Sequence, residues 1–417
     1  MNSAPVQANR RPARLPVGVY LLAFSLFAMG SGEFLLAGVL PAVATDLNVS
    51  LSSAGFLITA FALGVVVGGP PFAVLSLRWP RRTALMATQA AFAVSVAAGL
   101  AGNYQTLLIS RVIAGIAYAG FFAVASVTAI GLVTPDRNAR ASGVVVSGLS
   151  MAMVIGGPAG TLFSHFTGWR GGFWGVVALT LAGLIGCAIG TSAAKTGYRS
   201  TVRPSVSREL VAIRTPRLWV IYAVTILTTA AYMITFNYLA AMLTDITGMP
   251  SVWIPPILTL FGVGAFVGLS IGGRIVDKRP HAALLSGVVA IAVFSVTLVV
   301  AIHHSWAVIP TVFLLGIAAF VLNPAIYGRV FAIAGDAPTL AGATTVSAFQ
   351  LGISATPALA AAALSQGMPL TWVCLIGAVL AAIAVPLILV DRTRPTVDGA
   401  PDETSATRTA PPGGEPQ

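Results

Sequence analysis

Glu33 is set apart from every other acidic residue in the chain. Of the twelve Asp and Glu residues, it is the one that lies well inside a long apolar run. Asp46, Asp136, Glu209, Asp245, Asp277, Asp336, Asp391, Asp398, Asp402, Glu403 and Glu415 fall in polar stretches, in the tails or at the ends of apolar runs. An ionised carboxylate in hydrocarbon costs about 3 kcal/mol or more unless it is paired, hydrated or protonated. Burial favours the neutral acid, and a nearby cation favours the carboxylate. A carboxyl poised between the two loads and releases a proton as its surroundings change.

Arg111, inside another apolar run, is the candidate counter-charge. If successive runs cross a membrane in opposite directions, residues 33 and 111 reach similar depth, given the rise of about 1.5 Å per helical residue. They are therefore expected to face a common cavity, directly or through a water. The alternatives are a purely structural buried pair, or an Arg111 that snorkels to the headgroups. Polar and aromatic residues in the runs are candidate ligand contacts: Phe34 and Tyr118 near the charged pair, then Tyr232, Asn237, Tyr238, Asn323, Tyr327 and Gln350. A pocket of apolar walls with few hydrogen-bond partners suits a small, mostly apolar molecule. Any one of these residues is more often helix–helix glue than a ligand contact. The four His residues, 165, 281, 303 and 304, lie at run ends or in loops and suggest neither a relay nor a metal site. No nucleotide-binding loop and no convergent nucleophile, base and acid are visible, so neither ATP use nor enzymatic chemistry is expected.

The elements that must position these residues follow from composition. The chain has 417 residues, 57% hydrophobic and only 8% charged, with a mean hydropathy of +0.90. Soluble proteins are roughly a quarter charged. Apolar surface on this scale needs lipid as solvent, where backbone polar groups must be satisfied internally. The runs are continuous and not alternating, which selects helices over a barrel. Twelve spans are predicted near 17–40, 52–76, 83–102, 105–132, 142–164, 172–194, 218–243, 253–276, 281–302, 307–333, 340–364 and 370–390. The fold class is all-α integral membrane, with a tail over 1–16, a first six-helix bundle over 17–194, a basic linker over 195–217, a second bundle over 218–391 and a polar, disordered tail over 392–417. No cleavable signal peptide is expected. Cys187 and Cys374 each sit in an apolar run and read as packing residues.

The net charge of +11 could suggest nucleic acid. Its placement points instead to membrane topology. Of the 23 basic residues, 21 fall in the tails or in loops on one side once the spans alternate; Arg170 alone lies in an opposite loop and Arg111 within a span. The positive-inside bias puts both termini in the cytoplasm.

A shift of 200 residues aligns the halves. Phe61, Gly64, Gly68 and Pro80 meet Phe261, Gly264, Gly268 and Pro280, and Arg78 meets Lys278. Two similar halves are a standard carrier architecture, able to rock about a central site. Gly64 and Gly68, with Gly264, Gly268 and Gly272, place small residues along one helix face, suited to static packing or to a sliding interface between halves.

At these residues the chain resembles the twelve-span drug:proton antiporters of the major facilitator superfamily, over residues 17–391. Gly273-Arg-Ile-Val-Asp277-Lys278-Arg-Pro280 resembles the superfamily's cytoplasmic latch, and Arg78-Trp-Pro-Arg81-Arg82 a weaker copy lacking its Gly and Asp. Arg111-Val-Ile-Ala-Gly115 is similar to the motif linked to proton coupling, and Gly156-Gly157-Pro158-Ala-Gly160 to the export-associated motif. Ser31 to Pro41 and Phe236 to Asp245 resemble actinobacterial chloramphenicol efflux proteins. The resemblance implies export of chloramphenicol or related phenicols, driven by the proton gradient with no cofactor, by a monomer in a bacterial inner membrane. A sugar or metabolite exporter of the same fold is the alternative. An uncoupled channel or sensor is the alternative from another class, and no nucleic-acid partner is expected.

Overall fold

A computed structural model describes residues 15–75, 79–134, 137–190, 214–276, 279–335 and 338–393. Arg78, Asp277, Lys278, most of the linker and both tails, on which several expectations rest, lie outside the described residues.

The described residues are helical. In order they form α1 (Val17–Asp46), α2 (Leu51–Leu75), α3 (Arg81–Ala101) and α4 (Tyr104–Gly131). Next, α5 begins as Asn138–Met151, widens into a π-helical turn at Ala152–Gly156, and runs on to 167; α6 covers 169–190. The second half comprises α7 (Pro216–Asp245), α8 (Ile254–Val276), α9 (Pro280–Ala301), α10 (305–334, interrupted at Leu322), α11 (Pro338–Leu364) and α12 (Trp372–Thr393).

Eleven helices are long and apolar enough to cross a membrane, one of them being the 50-residue stretch Arg140–Ile189. A straight helix of that length would span about 75 Å, more than twice the roughly 30 Å of bilayer hydrocarbon. It is broken at Gly168, where φ is 76° and ψ 163°, a left-handed backbone that a side chain would strain. The chain therefore turns back there, and the described residues make twelve crossings. Local signals set other boundaries. The Asn103 side chain accepts a hydrogen bond from the Thr106 N–H at 3.1 Å to cap α4, and Pro216 and Pro280 open α7 and α9 where a missing N–H costs nothing.

Each half packs chiefly on itself: α1, α3 and α4 on α2, α5 and α6, then α7, α9 and α10 on α8, α11 and α12. The glycine faces lie inside the halves and not between them, which favours static packing over the sliding interface as their use. A Cβ on Gly64 would sit 2.3 Å from the Val112 carbonyl, and one on Gly115 2.1 Å from the Phe61 carbonyl. In the second half, a Cβ on Gly264 would sit 2.3 Å from the Phe313 carbonyl and one on Gly316 2.3 Å from the Phe261 carbonyl. The internal repeat is thus a repeat of backbone contacts, α2 on α4 and α8 on α10.

The halves touch through α1–α7, α2–α11 and α5–α8. Several of these contacts lie toward the end opposite the termini. His165 Nδ1 and Ser251 Oγ are 3.1 Å apart, the Tyr238 hydroxyl lies 2.5 Å from where a Cβ on Gly55 would be, and the Thr59 hydroxyl donates to the Ser354 carbonyl at 2.9 Å.

Candidate functional site

Glu33 sits at the middle of α1. It keeps part of its surface exposed while Gly32 and Phe34 beside it are buried. Its Oε1 accepts a hydrogen bond from Gln350 Nε2 of α11 at 3.3 Å, so a carboxyl of the first half is held by an amide of the second. Tyr118 of α4 and Tyr232 of α7 lie within electrostatic reach of this carboxyl, and Tyr327 of α10 within reach of both tyrosines. Five helices from both halves thus converge on one central space.

Arg111 approaches from α4 and shares no ion pair with Glu33. Its Nη1 donates to the Gly32 carbonyl at 3.1 Å and its Nε to the Leu57 carbonyl at 3.4 Å. The guanidinium lies 4.5 Å from the Phe61 ring centroid and 5.9 Å from that of Phe173. A desolvated cation over an aromatic face gains roughly 2 kcal/mol. Carbonyls and ring faces therefore hold this buried charge in place. Its positive potential reaches Glu33 through the adjoining residue, without neutralising it by contact.

The surrounding shell is aromatic. Phe34 packs edge-on to Phe236 at 6.5 Å, Phe236 lies 4.7 Å from Phe261, Tyr118 5.6 Å from Phe61, and Tyr232 5.5 Å from Phe320. Tyr327 stands between Phe331 at 6.1 Å and Phe349 at 5.7 Å. Asn323 Oδ1 and Gln350 Oε1 are buried acceptors with no partner among the described residues.

Not every sequence candidate joins this centre. The Asn237 amide donates to Thr356 Oγ1 at 2.9 Å, tying α7 to α11. Tyr238 lies nearer the end opposite the termini, against Gly55 and Pro357. Gly157 and Pro158 shape the wall behind Glu33. Pro158 cannot bond back to residue 154, and the preceding π turn takes up the mismatch. A Cβ on Gly157 would lie 2.8 Å from that of Phe34, and one on Gly156 2.0 Å from the Ser31 hydroxyl, so this bend presses on the turn that carries Glu33. Of the gating candidates, Arg82 donates from Nη2 to the Ala188 carbonyl at 2.7 Å, Arg81 approaches Gly131, and Gly273 faces open space.

A second charge cluster escaped sequence reading. Asp391, expected at the end of an apolar run, does lie in the last turn of α12, but its side chain is fully buried there. Its Oδ1 accepts from Arg217 Nε at 3.0 Å and its Oδ2 from Arg329 Nε at 3.0 Å, with His281 Nε2 3.2 Å from Oδ2. Arg217 belongs to the first turn of α7, and Arg329 lies within α10, where each had read as a topology charge. A three-residue spacing would have betrayed the cluster; partners 62, 110 and 174 residues away do not.

The family model of the Major Facilitator Superfamily matches residues 22–357. The chain belongs to this superfamily. As a superfamily transporter it has relatives along most of its length. It is 37% identical over 353 residues to a chloramphenicol resistance protein of Streptomyces lividans, covering 84% of this chain and 90% of the relative. A chloramphenicol efflux pump of Mycobacterium tuberculosis is 27% identical over 351 residues, 82% and 84% of the two chains. Among solved structures, the nucleoside transporter NupG superposes with a TM-score of 0.71 at 12% identity, covering 90% of this chain and 99% of that one. A bacterial homologue of the human lysosomal transporter Spinster gives 0.68 at 17% identity, covering 91% and 98%. The protein is thus a multi-pass membrane transporter of small molecules and not an enzyme.

Proposed function

We propose that this transporter is a proton-coupled exporter of small hydrophobic drugs, with chloramphenicol and related phenicols as substrates, working by alternating access. The observation that carries the coupling is Glu33: a carboxyl in the central space, contacted by one neutral amide and overlooked by a cation that does not pair with it. A group so placed takes up and gives back a proton at little structural cost. Phe34, Tyr118, Tyr232, Tyr327, Asn323 and Gln350 would line the drug site, offering ring faces and a few polar atoms. The 37% identity to a chloramphenicol resistance protein favours phenicols.

The described basic residues at or beside helix ends, Arg81, Arg82, Arg137, Arg140, Arg214, Arg217, Arg274, Arg279 and Arg392, lie at the end where α1 begins, and Arg329 lies in the part of α10 nearest that end, whereas Arg170 lies opposite and pairs with Asp46. This supports a cytoplasmic placement of both termini in a bacterial inner membrane. The transporter would act as a monomer, use no cofactor and draw energy from the proton gradient.

Everted vesicles loaded by a pH gradient should accumulate labelled chloramphenicol, a protonophore should abolish the accumulation, and Glu33→Gln should abolish it alone. Accumulation that survives both treatments would overturn the coupling. A pH-driven flux of sugars but not of phenicols would overturn the substrate.

A further inference from the structure

Among the described residues, Gln350 is the one of the second half that bonds Glu33, and it uses only half of its capacity. Its Nε2 donates to Glu33 Oε1 at 3.3 Å, while its Oε1 is buried with no partner. An amide carries one donor group and one acceptor, and an ionised carboxylate can only accept. Facing a carboxylate, the Gln350 oxygen has nothing to receive. A protonated carboxyl offers a donor and an acceptor together, the complement of a primary amide. The acid and the amide then form a closed pair of hydrogen bonds.

We propose that Gln350 reads the protonation state of Glu33 across the seam between the halves, and that the second hydrogen bond, from the Glu33 O–H to Gln350 Oε1, favours the conformation seen here. The inference rests on Glu33 as the proton-coupling residue. The incoming proton binds Glu33 Oε2 from water, since Oε1 accepts from Gln350 Nε2, and leaves from the same atom; no other bond is made or broken but the hydrogen bond itself. Ionisable groups near this pair are Arg111 and Tyr118 of α4, Tyr232 of α7 and Tyr327 of α10. Of these Arg111 is committed to the Gly32 and Leu57 carbonyls, and α5 presents glycines 156 and 157.

The sign of the effect suits an exporter. Glu33–Gln350 lies below Thr59–Ser354 and the Tyr238–Gly55 contact, in a seam pressed together toward the end opposite the termini. With the termini in the cytoplasm, this is the conformer closed to the outside. A proton taken up from outside would stabilise closure there, and its release inside would leave one bond fewer holding the seam. One extra buried hydrogen bond is worth about a tenfold change in the balance between conformers.

The test measures the distance between spin labels at Thr45 of the first half and Gln366 of the second, both exposed at the end opposite the termini, in the full chain reconstituted in lipid across pH. The two native cysteines are buried. For the wild type the long-distance population should grow as pH rises. Glu33→Gln, a permanent partner for two bonds, should hold the short distance at every pH. Gln350→Met should flatten the response about tenfold, and Gln350→Asn, too short to bridge the seam, should behave alike. Met in place of Gln350 should also release the Glu33→Gln variant from its locked state. A wild-type response that vanishes in Glu33→Gln but persists unchanged in both Gln350 variants overturns this proposal and leaves proton coupling standing. A wild type indifferent to pH overturns both.

Discussion

Each half joins its second and fourth helices through glycines, yet the first half keeps its buried charge at mid-depth and the second at its base. Gly64 and Gly115 answer to Gly264 and Gly316, and the Phe61 and Phe261 carbonyls occupy the same place between them. At that register Arg111 corresponds to Val312, a buried aliphatic residue, and Phe261 stacks on Phe236 where Phe61 carries a guanidinium. The second half places its charges at Asp391, Arg217 and Arg329, saturated by mutual hydrogen bonds. A saturated cluster braces helix ends. A carboxyl left with one neutral partner is free to titrate. One scaffold thus carries two uses of buried charge, separated by how completely each charge is paired.

The contrast is easiest to break at Asp391. Asp391→Ala leaves two arginines facing a void and should cost about 3–5 kcal/mol, read as a large drop in thermal unfolding temperature in detergent. Glu33→Gln should melt close to wild type while losing pH-driven transport. Equal melting of the two variants would erase the distinction between the halves. Next come the glycine seams: Gly64→Val and Gly264→Val each force a side chain against a backbone carbonyl and should destabilise by about 1–3 kcal/mol or more. Similar losses of folded protein from the two variants would sharpen the equivalence, and a loss from only one would refute it.

A smaller effect is expected from Arg111→Lys, which retains charge but gives up the flat face against Phe61 and one of the two carbonyl bonds. The lost carbonyl bond, worth about 1 kcal/mol, should lower vesicle transport about fivefold, whereas Val312→Leu should leave it near wild type. Smallest of all, Asn237→Leu and Thr356→Val in a double-mutant cycle should show about 1 kcal/mol of coupling in stability with an unchanged drug profile. A changed profile would return Asn237 to the drug site.

The fold was readable because lipid makes it so. Continuous apolar runs declare helices, and glycines that touch backbone cannot drift, so the 200-residue shift survives at Gly64, Gly68, Gly264 and Gly268. Glu33 and Arg111 were equally plain, since charge inside an apolar run has few innocent explanations. Gln350 could only be named as one polar residue among several. Its meaning is a contact made 317 residues away in sequence, and neutral amides in spans are common glue. Asp391 was hidden differently: one turn from the end of a helix, a buried carboxylate and a solvated one look the same in sequence. The break between the fifth and sixth spans was legible between 164 and 172, but its form, a left-handed backbone at Gly168, is a conformation that hydropathy does not show.

The glycine seams have a consequence for how such a protein diversifies. With α2 set against α4 and α8 against α10 backbone to backbone at these glycines, little side-chain bulk separates the helices there to absorb a displacement. Each half is a stiff lever, and a small push at its middle arrives at its far end at full size. The side chains facing the central space carry none of that stiffness. They can be exchanged for others, and a new cargo accommodated, while the lever keeps its stroke.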